Sequence, residues 1–305
     1  MKAKIRSDIV NHFSDTDGNI QDLIPFSYLG GKYKHLNWIL PNLPNKKCYI
    51  EPFGGSGVVL LNRKQSDVET FNDKYSEVTN FFRVLRNKPD ELLQKISLTP
   101  YSEEEFKDCL KGRESMCDIE RARTFFLIVN MSYDKNLHSP NWSYSVNFSS
   151  SGVSKKISSY RAKIKRLKPI AERLTKVQIT NRDAIDVIQT FDTEQGLIYC
   201  DPPYPPKVRE FKDAYGVEMK NEKHREMAET LKACEADIAI SSYENELYND
   251  LFSNWNRIDA EEKSLSSSPG EGKSTKRREC LYVNYSLDFK NRDNSVEDSG
   301  SVFDY

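Results

Sequence analysis

The chain has 305 residues and a formal net charge of −1, so it forms one large domain or two modest ones and is not a uniformly basic nucleic-acid binder. Its six cysteines include no C-x-x-C pair and its four histidines are scattered, which argues against a metal site or a disulfide framework and favours a reducing compartment. No apolar run approaches a membrane span, and residues 1–19 are too polar for a signal peptide, so we expect a cytoplasmic protein without membrane contact.

Residues 1–24 are polar without clear periodicity, and we interpret them as an N-terminal arm. The segment Tyr28-Leu29-Gly30-Gly31-Lys32 follows and leads into an amphipathic stretch. Its two glycines allow a tight passage of the backbone, which also aims the lysine. Taken alone, this segment is a typical loop before a helix.

The apolar run Cys48-Tyr49-Ile50 predicts a short buried strand. It is followed by Glu51-Pro52-Phe53-Gly54-Gly55-Ser56-Gly57 and by a helical stretch that starts at Val58. A strand, a glycine-rich turn and a helix in this order let a ligand approach the backbone at the carboxyl end of the strand. The spacing is not the G-x-G-x-x-G of dinucleotide-binding proteins. Glu51 fits the ammonium group of a ligand or a structural salt bridge equally well.

Two further acids end predicted strands. Asp73 ends the predicted strand of residues 69–73, about twenty residues beyond the glycine turn, where an acid binds the hydroxyl groups of a ribose. It also suits the cap of a helix over residues 77–85. Asp183 ends a predicted strand that starts at Val177; it can accept from an amino group, although helix capping is the simpler interpretation.

The middle of the chain has a different character. Ser102 and Glu105 form a capping box that starts a helix, and residues 120–131 predict a second helix. Residues 132–154 are rich in Ser, Asn and Tyr with interleaved aromatic side chains. A long irregular segment of this kind indicates a binding loop.

Residues 155–176 hold nine Lys or Arg against one acid, Glu172. Apolar residues recur among them at helical spacing, so we predict a helix with one packed face and basic remaining faces. Basic helices are often merely solvated. In a nearly neutral chain, however, this local excess of charge suits the binding of phosphates.

The run Leu197-Ile198-Tyr199-Cys200 predicts a buried strand that stops at Asp201-Pro202-Pro203-Tyr204. The prolines fix the backbone and remove amide donors. Asp201 and the carbonyl of Pro202 can therefore accept both N–H bonds of an amino group on a planar ring, while the Tyr204 ring stacks on its face. A plain proline-rich turn is the alternative.

The remaining elements complete the predicted sheet. We predict a helix over residues 221–234 and strands over 237–243 and 280–285, separated by a flexible basic loop at 265–278. Residues 291–305 are polar with an acidic excess, which predicts a disordered tail.

In this order the motifs resemble those of Dam-like (alpha-group, D12 class) DNA adenine-specific N6-methyltransferases, over most of residues 25–285. The resemblance implies an α/β fold: a Rossmann-like methyltransferase sheet with an inserted, mainly helical target-recognition domain. We place the catalytic domain at residues 25–99 and 169–290, and the insertion at 100–168. The implied activity is direct transfer of a methyl group from S-adenosylmethionine to N6 of an adenine flipped out of double-stranded DNA.

The expected site residues fall into three groups, and none is a metal ligand. The catalytic residues are Asp201, Pro202 and Tyr204. The cofactor-binding residues are Tyr28, Lys32, Asp73 and Asp201, which the resemblance implies, together with Glu51, Phe53, Gly55 and Asp183. The DNA-binding residues are Lys135, Lys155, Lys156, Arg161 and Arg277.

Residues 130–151 lack the Gly- and Arg-containing segment that is usual in Dam-like relatives, so the target sequence does not follow from the resemblance. Two alternatives stay open: amino methylation of cytosine N4, RNA or protein glutamine, and DNA binding by an inactive methyltransferase scaffold. We expect a monomer, and a cognate restriction endonuclease is a further partner that the resemblance leaves open.

Overall fold

The computed structural model describes residues 22–28, 30–112, 115–133, 140–150, 152–205, 219–260 and 278–288. Within these residues, seven strands form one sheet with a hydrophobic core on each face. The strands are β1 (Cys48–Glu51), β2 (Val68–Asn72), β3 (Val177–Thr180), β4 (Gly196–Cys200), β5 (Asp237–Tyr243), β6 (Asn256–Asp259) and β7 (Glu279–Val283). Their order across the sheet is β3-β2-β1-β4-β5-β7-β6.

The direction of strand addition reverses at β1. The chain adds β2 and β3 on one side of β1 and then returns to add β4 and β5 on the other side, with all five strands parallel. β7 is antiparallel to both β5 and β6. Connections that leave in opposite directions from adjacent strands open a cleft at the strands' carboxyl ends. Since Ile50 pairs with Ile198, β1 and β4 end side by side at this cleft.

Helices cover the sheet, and in the described residues none is long and apolar enough to cross a membrane. The α-helices are α1 (Leu36–Ile39), α2 (Val58–Asn62), α3 (Ser76–Asn87), α4 (Pro89–Ser97), α5 (Glu103–Cys109), α6 (Asp118–Met131), α7 (Lys155–Leu174), α8 (Ala184–Phe191), α9 (Asn221–Lys232) and α10 (Glu246–Leu251). As predicted, the hydroxyl of Ser102 caps α5 by accepting from the amide of Glu105.

The central strands are buried on both faces. Tyr49 and Tyr199 belong to one core, whereas their neighbours Ile50 and Ile198 belong to the other. This explains the unbroken apolar run of β4, because a parallel strand covered on both faces has no polar side.

The predicted insertion packs directly on the catalytic sheet. Phe126 of α6 stacks on Phe81 of α3 with 5.8 Å between ring centroids, and Phe125 meets Phe26 edge to face at 5.2 Å. Tyr160 of α7 belongs to the same core. The helices of residues 100–168 therefore share a continuous hydrophobic core with the sheet.

The predicted strands are all present, and the structure adds β6, α4 and α10. The sequence of β6 is Asn-Arg-Ile-Asp, which contains no apolar run, and the strand is only partly buried. Its hydrogen bonds to β7 make this segment a strand. α4 begins at a proline, which fits the first turn of a helix but also reads as a break. The short edge strand and the proline-led helix therefore carry little local signal.

Two predicted boundaries differ from the observed packing. Leu23 and Ile24 are buried in the core, although the arm was expected to extend to residue 24. α7 continues without interruption through residue 168, the expected end of the insertion. Residues 1–21 of the arm and the tail 291–305 lie outside the described residues.

One charge pair ties α7 to the sheet. Arg173 is buried, and its guanidinium donates to both carboxylate oxygens of Glu69 in β2 and to the carbonyl of Leu60 in α2. A bidentate arginine–carboxylate pair is strongly directional. Arg173, which the sequence places among the basic residues of this helix, is therefore structural.

We expect Arg173→Met to lower the free energy of unfolding by about 3–5 kcal/mol, because it leaves the buried carboxylate of Glu69 without its main partner. Denaturant unfolding measures this loss. Lys168→Met, at an exposed position of the same helix, is the matched control and should change it by less than about 0.5 kcal/mol. Equal effects of the two substitutions would contradict a structural role for Arg173.

Candidate active site

A cleft of about 1100 Å³, including space open to solvent, lies at the carboxyl ends of β1 and β4. Each of the eight expected cofactor-binding residues lines it, as does Pro202. The eight are Tyr28, Lys32, Glu51, Phe53, Gly55, Asp73, Asp183 and Asp201. The structure therefore brings two segments to one cleft: the glycine turn and the acidic corner, which is the segment Asp201-Pro202-Pro203-Tyr204. Tyr204 itself is not among the residues that line the cleft.

The glycine turn is held by Asp73. The amide of Gly55 donates to Asp73 Oδ2 at 2.8 Å, and the amide of Tyr75 donates to Asp73 Oδ1 at 2.7 Å. Gly55 has a φ of 51°, a conformation that costs glycine nothing. A Cβ at this position would lie 3.2 Å from the Tyr28 ring. The turn thus needs glycine, and Asp73 caps it instead of capping α3, whose N-cap residue is Tyr75.

Burial raises the pKa of Asp73 to about 6, although the two backbone amides oppose this shift. Burial disfavours the charged form of a carboxyl, whereas hydrogen bonds to the carboxylate favour it. Burial is the larger effect here. Asp73 therefore changes its charge close to neutral pH.

Glu51 is buried and is held by hydrogen bonds. The hydroxyl of Tyr49 and the amide of Leu60 both donate to its Oε2, at 2.8 and 3.0 Å. Among the described residues Glu51 forms no salt bridge, so the alternative prediction of a structural salt bridge at Glu51 is wrong. Burial raises the pKa of Glu51 to about 8, against the effect of these hydrogen bonds.

Asp183 is both a helix cap and a rim residue of the cleft. Its carboxylate accepts from the amide of Ile185 at 3.1 Å, which confirms the capping role in α8. Lys74 lies 2.9 Å and Lys223 lies 3.6 Å from its oxygens. Burial opposes these partners, but together the lysines and the amide lower the pKa of Asp183.

Asp201 is anchored through one of its two oxygens. Lys32 Nζ lies 2.7 Å from Oδ1, and Ser241 Oγ donates to the same atom at 2.9 Å. Lys32 also donates to the carbonyl of Gly30 at 2.9 Å. The loop that contains Gly30 and Gly31 thus brings the lysine to the acidic corner. Oδ2 accepts no hydrogen bond from the described residues. The side chain keeps 20% of its surface exposed, and the residue lines the cleft.

Burial raises the pKa of Asp201, and the positive charge of Lys32 is the main opposing influence. A second nearby acid, Glu279, adds to the rise. The corner is therefore a carboxyl whose charge depends on its two charged neighbours.

Tyr204 lies behind the corner. Its side chain is 4% exposed, and its hydroxyl donates to a carboxylate oxygen of Glu279. Its ring meets Tyr243 edge to face at 4.9 Å, and Lys32 Nζ lies 4.8 Å from its centroid. The stacking of this ring on a substrate base stays a prediction.

Three of the five expected DNA-binding residues lie at the start of α7, and Lys135 and Arg277 lie outside the described residues. Lys155 and Arg161 are exposed, and Lys156 Nζ lies 5.8 Å from the centroid of the Tyr133 ring. The preceding loop exposes 70% or more of each of three aromatic side chains. These are Tyr133, Tyr144 and Phe148.

Sequence reasoning assigned no role to Ser241 and Glu279. Both are buried polar residues of sheet strands. A polar residue in a buried strand needs a partner. That rule was the available signal, but it does not name Asp201 or Tyr204 as the partner.

A mostly parallel sheet of this order, with a glycine turn after β1 and an Asp-Pro-Pro-Tyr corner after β4, defines a Rossmann-like methyltransferase. The family profile described as "D12 class N6 adenine-specific DNA methyltransferase" matches residues 28–265. Since the match covers most of the chain, the protein belongs to this family, as the sequence motifs predict.

Two curated relatives are similar to the chain. The type II methyltransferase M.MjaIII of Methanocaldococcus jannaschii is 24% identical over 289 residues, which cover 86% of this chain and 99% of that protein. The modification methylase StsI of Streptococcus sanguinis is 38% identical over 74 residues, which cover 24% of this chain and 11% of that protein.

We expect the carboxyl of Asp73 to titrate near pH 6 and that of Asp183 below its ordinary range, measured by carbon-13 NMR of the free protein. Since the pKa of Asp73 is raised on folding, its contribution to stability is fully present below its unfolded value and is lost as the pH rises through about 6. Titration of Asp73 at or below the value of Asp183 would contradict this assignment.

Proposed function

We propose that this chain transfers a methyl group from S-adenosylmethionine to N6 of an adenine flipped out of duplex DNA. The observation that carries the proposal is the corner at Asp201: Oδ1 is anchored by Lys32 and Ser241, while Oδ2 accepts no bond from the described residues beside an acid-lined cleft. Membership of the adenine methyltransferase family supports it.

The residues of the cleft fit this cofactor. Gly55 leaves room where a Cβ would approach Tyr28 to 3.2 Å, so a ligand can lie against the turn. Glu51 suits the ammonium group, Asp73 the ribose hydroxyls and Asp183 the adenine amino group, with Phe53 and Tyr28 beside them. When bound, S-adenosylmethionine supplies a methyl group on a positively charged sulfur.

The carboxylates suit a cationic ligand in different ways. A positive group next to Glu51 would favour its ionised form and displace its proton, because its pKa is about 8 in the free protein. Each oxygen of Asp73 already accepts one amide bond, and a carboxylate oxygen has a second lone pair for a hydroxyl donor.

The chain contributes hydrogen-bond acceptors and a negative charge to the chemistry. Asp201 Oδ2 and the carbonyl of Pro202 accept the two N–H bonds of the substrate amine, which draws its lone pair out of conjugation with the ring. Asp201 then stabilises the positive charge that develops on nitrogen. Lys32 and Ser241 hold Oδ1 of Asp201 and so fix the orientation of the carboxylate. The group therefore needs no reorganisation at the moment of reaction.

The base has to leave the duplex first, at a cost of a few kcal/mol. We propose that stacking on Tyr204 offsets part of this cost, which requires the base to reach a ring that is 4% exposed in the free protein. Contacts of the insertion with the phosphates offset another part.

Residues 100–168 are the proposed target-recognition region. The exposed aromatic side chains of the loop lie next to the basic start of α7, since the amide of Lys155 donates to the carbonyl of Asn147. Exposed rings and basic side chains together suit nucleic acid. The names of the two relatives support modification of DNA, and a cognate endonuclease and a monomeric state are further proposals.

A second candidate is amino methylation of cytosine, RNA or protein glutamine, and a third is an inactive scaffold that binds DNA. Digestion of the treated substrate and identification of the methylated nucleoside or residue distinguish methylation of cytosine, RNA or glutamine from methylation of adenine. Cofactor binding measured by calorimetry tests the inactive scaffold.

We expect Asp201→Asn to lower the rate of tritiated methyl transfer to duplex DNA by at least about a hundredfold, because the side chain keeps its size but loses the charge that stabilises the cationic amine. Thermal unfolding checks that the variant is folded. Asp186→Asn, on the exposed surface of α8, is the control and should retain wild-type transfer. Retained turnover in Asp201→Asn would reject the proposed role.

We expect the double variant Lys155→Ala, Arg161→Ala to bind duplex DNA more weakly for every sequence and to reduce the slope of log K against log salt by about 2, since each phosphate contact contributes about 1. Filter binding at several salt concentrations measures both. Lys176→Ala, beyond the opposite end of α7, is the control. An unchanged salt slope in the double variant would remove the start of α7 from the interface.

A further inference from the structure

Glu279 is a buried carboxylate at the back of the catalytic corner. It is the first residue of β7, is 5% exposed and pairs with Tyr243 of β5 in the sheet. Its Oε1 accepts the hydroxyl of Tyr204 and lies 3.5 Å from Lys32 Nζ. One oxygen of Glu279 thus contacts both Tyr204 and Lys32, and Lys32 is the ionic partner of Asp201.

The three charged groups of the corner do not cancel. Lys32 lies between two carboxyl groups, 2.7 Å from Asp201 and 3.5 Å from Glu279, so the set carries a net charge of −1 when both acids are ionised. Without Glu279 the ion pair of Lys32 and Asp201 would be neutral. In a buried site, a neutral ion pair stabilises an added positive charge far less than a set of groups with a net negative charge does.

The proposed reaction needs that negative charge. The lone pair of the amino nitrogen forms the N–C bond, and the electron pair of the broken C–S bond stays on sulfur. The positive charge therefore moves from sulfur to nitrogen, until one N–H proton leaves to solvent. A negative corner stabilises the nitrogen during this interval.

We propose that Glu279 is a positioning residue for methyl transfer: it holds Lys32 and the ring of Tyr204 around Asp201 and keeps the corner negatively charged. This inference rests on the proposed function. Glu279 acts through its neighbours, since no contact of its own with the substrate is needed.

The alternative is that Glu279 only satisfies the buried hydroxyl of Tyr204. The pH dependence separates the two roles, because the charge of Glu279 raises the pKa of Asp201. A hydrogen-bond acceptor without charge would not do so. Seven other groups face Asp201, and of these only Tyr204 is changed in one of the variants below. They are Lys32, Ser241, Glu51, Tyr199, Cys200, Tyr204 and Tyr248.

The test is Glu279→Gln, which keeps an oxygen acceptor for Tyr204 and nearly the same volume but removes the charge. We expect kcat to fall roughly tenfold or more, less than the hundredfold or thousandfold typical of a group in direct contact with the developing charge. We also expect the acid limb of the kcat profile to move to lower pH. Glu279→Asp keeps the charge and should recover part of kcat.

Two variants serve as comparisons. Tyr204→Phe removes the hydrogen bond and keeps the charge, so the acid limb should stay in place whatever happens to kcat. Glu69→Gln removes a buried carboxylate of β2 that pairs with Arg173, so it should lower stability without moving the acid limb. Thermal unfolding checks all variants.

A wild-type kcat, or an acid limb that does not move in Glu279→Gln, would overturn the inference. Carbon-13 NMR titration of Asp201 in the free protein gives a readout that does not depend on activity, and an unchanged pKa in Glu279→Gln would overturn it equally. Absence of methyl transfer by the wild-type protein would instead reject the proposed function, while the NMR titration would still decide the effect of Glu279 on Asp201.

Discussion

The contact between Lys32 and Asp201, 2.7 Å between Nζ and Oδ1, joins the two halves of the site. Lys32 comes from the loop before β1, and Asp201 follows β4, so the ion pair spans the reversal of strand order at which the cleft opens. Lys32 contacts one carboxylate oxygen of Asp201, and the other accepts no bond from the described residues beside the cleft. Together with the hydrogen bond from Ser241, this contact holds the acidic corner against the loop that carries Lys32.

Burial and local partners give the acids of one cleft different charges. Glu51 has a pKa of about 8 and Asp73 of about 6, because burial outweighs the hydrogen bonds that each accepts. The pKa of Asp183 is lowered by two lysines and an amide against the effect of burial. Near neutral pH the free cleft is therefore less negative than its number of carboxyls indicates. A cationic ligand would increase the ionisation of the buried acids as it binds.

The helices of residues 100–168 share one hydrophobic core with the sheet. Phe125 and Phe126 of α6 pack on Phe26 and Phe81 in one core, and Arg173 ties the end of α7 to β2. Movement of the insertion as a separate body would break this core. The exposed aromatic loop and the basic start of α7 are therefore attached to elements that pack on the sheet.

The sequence by itself determined six of the seven strands of the sheet, the glycine turn, the acidic corner and the family, because each is a local pattern of burial, turn residues or motif spacing. It also predicted eight of the residues that line the cleft, four of them through the family resemblance and four from their positions in and near the glycine turn and at a strand end. Only the tertiary structure decided that Lys32 anchors Asp201, that Glu279 accepts from Tyr204, and that Arg173 is buried rather than available to phosphates. These pairs join residues far apart in the chain, and a buried polar side chain requires a partner without specifying which one.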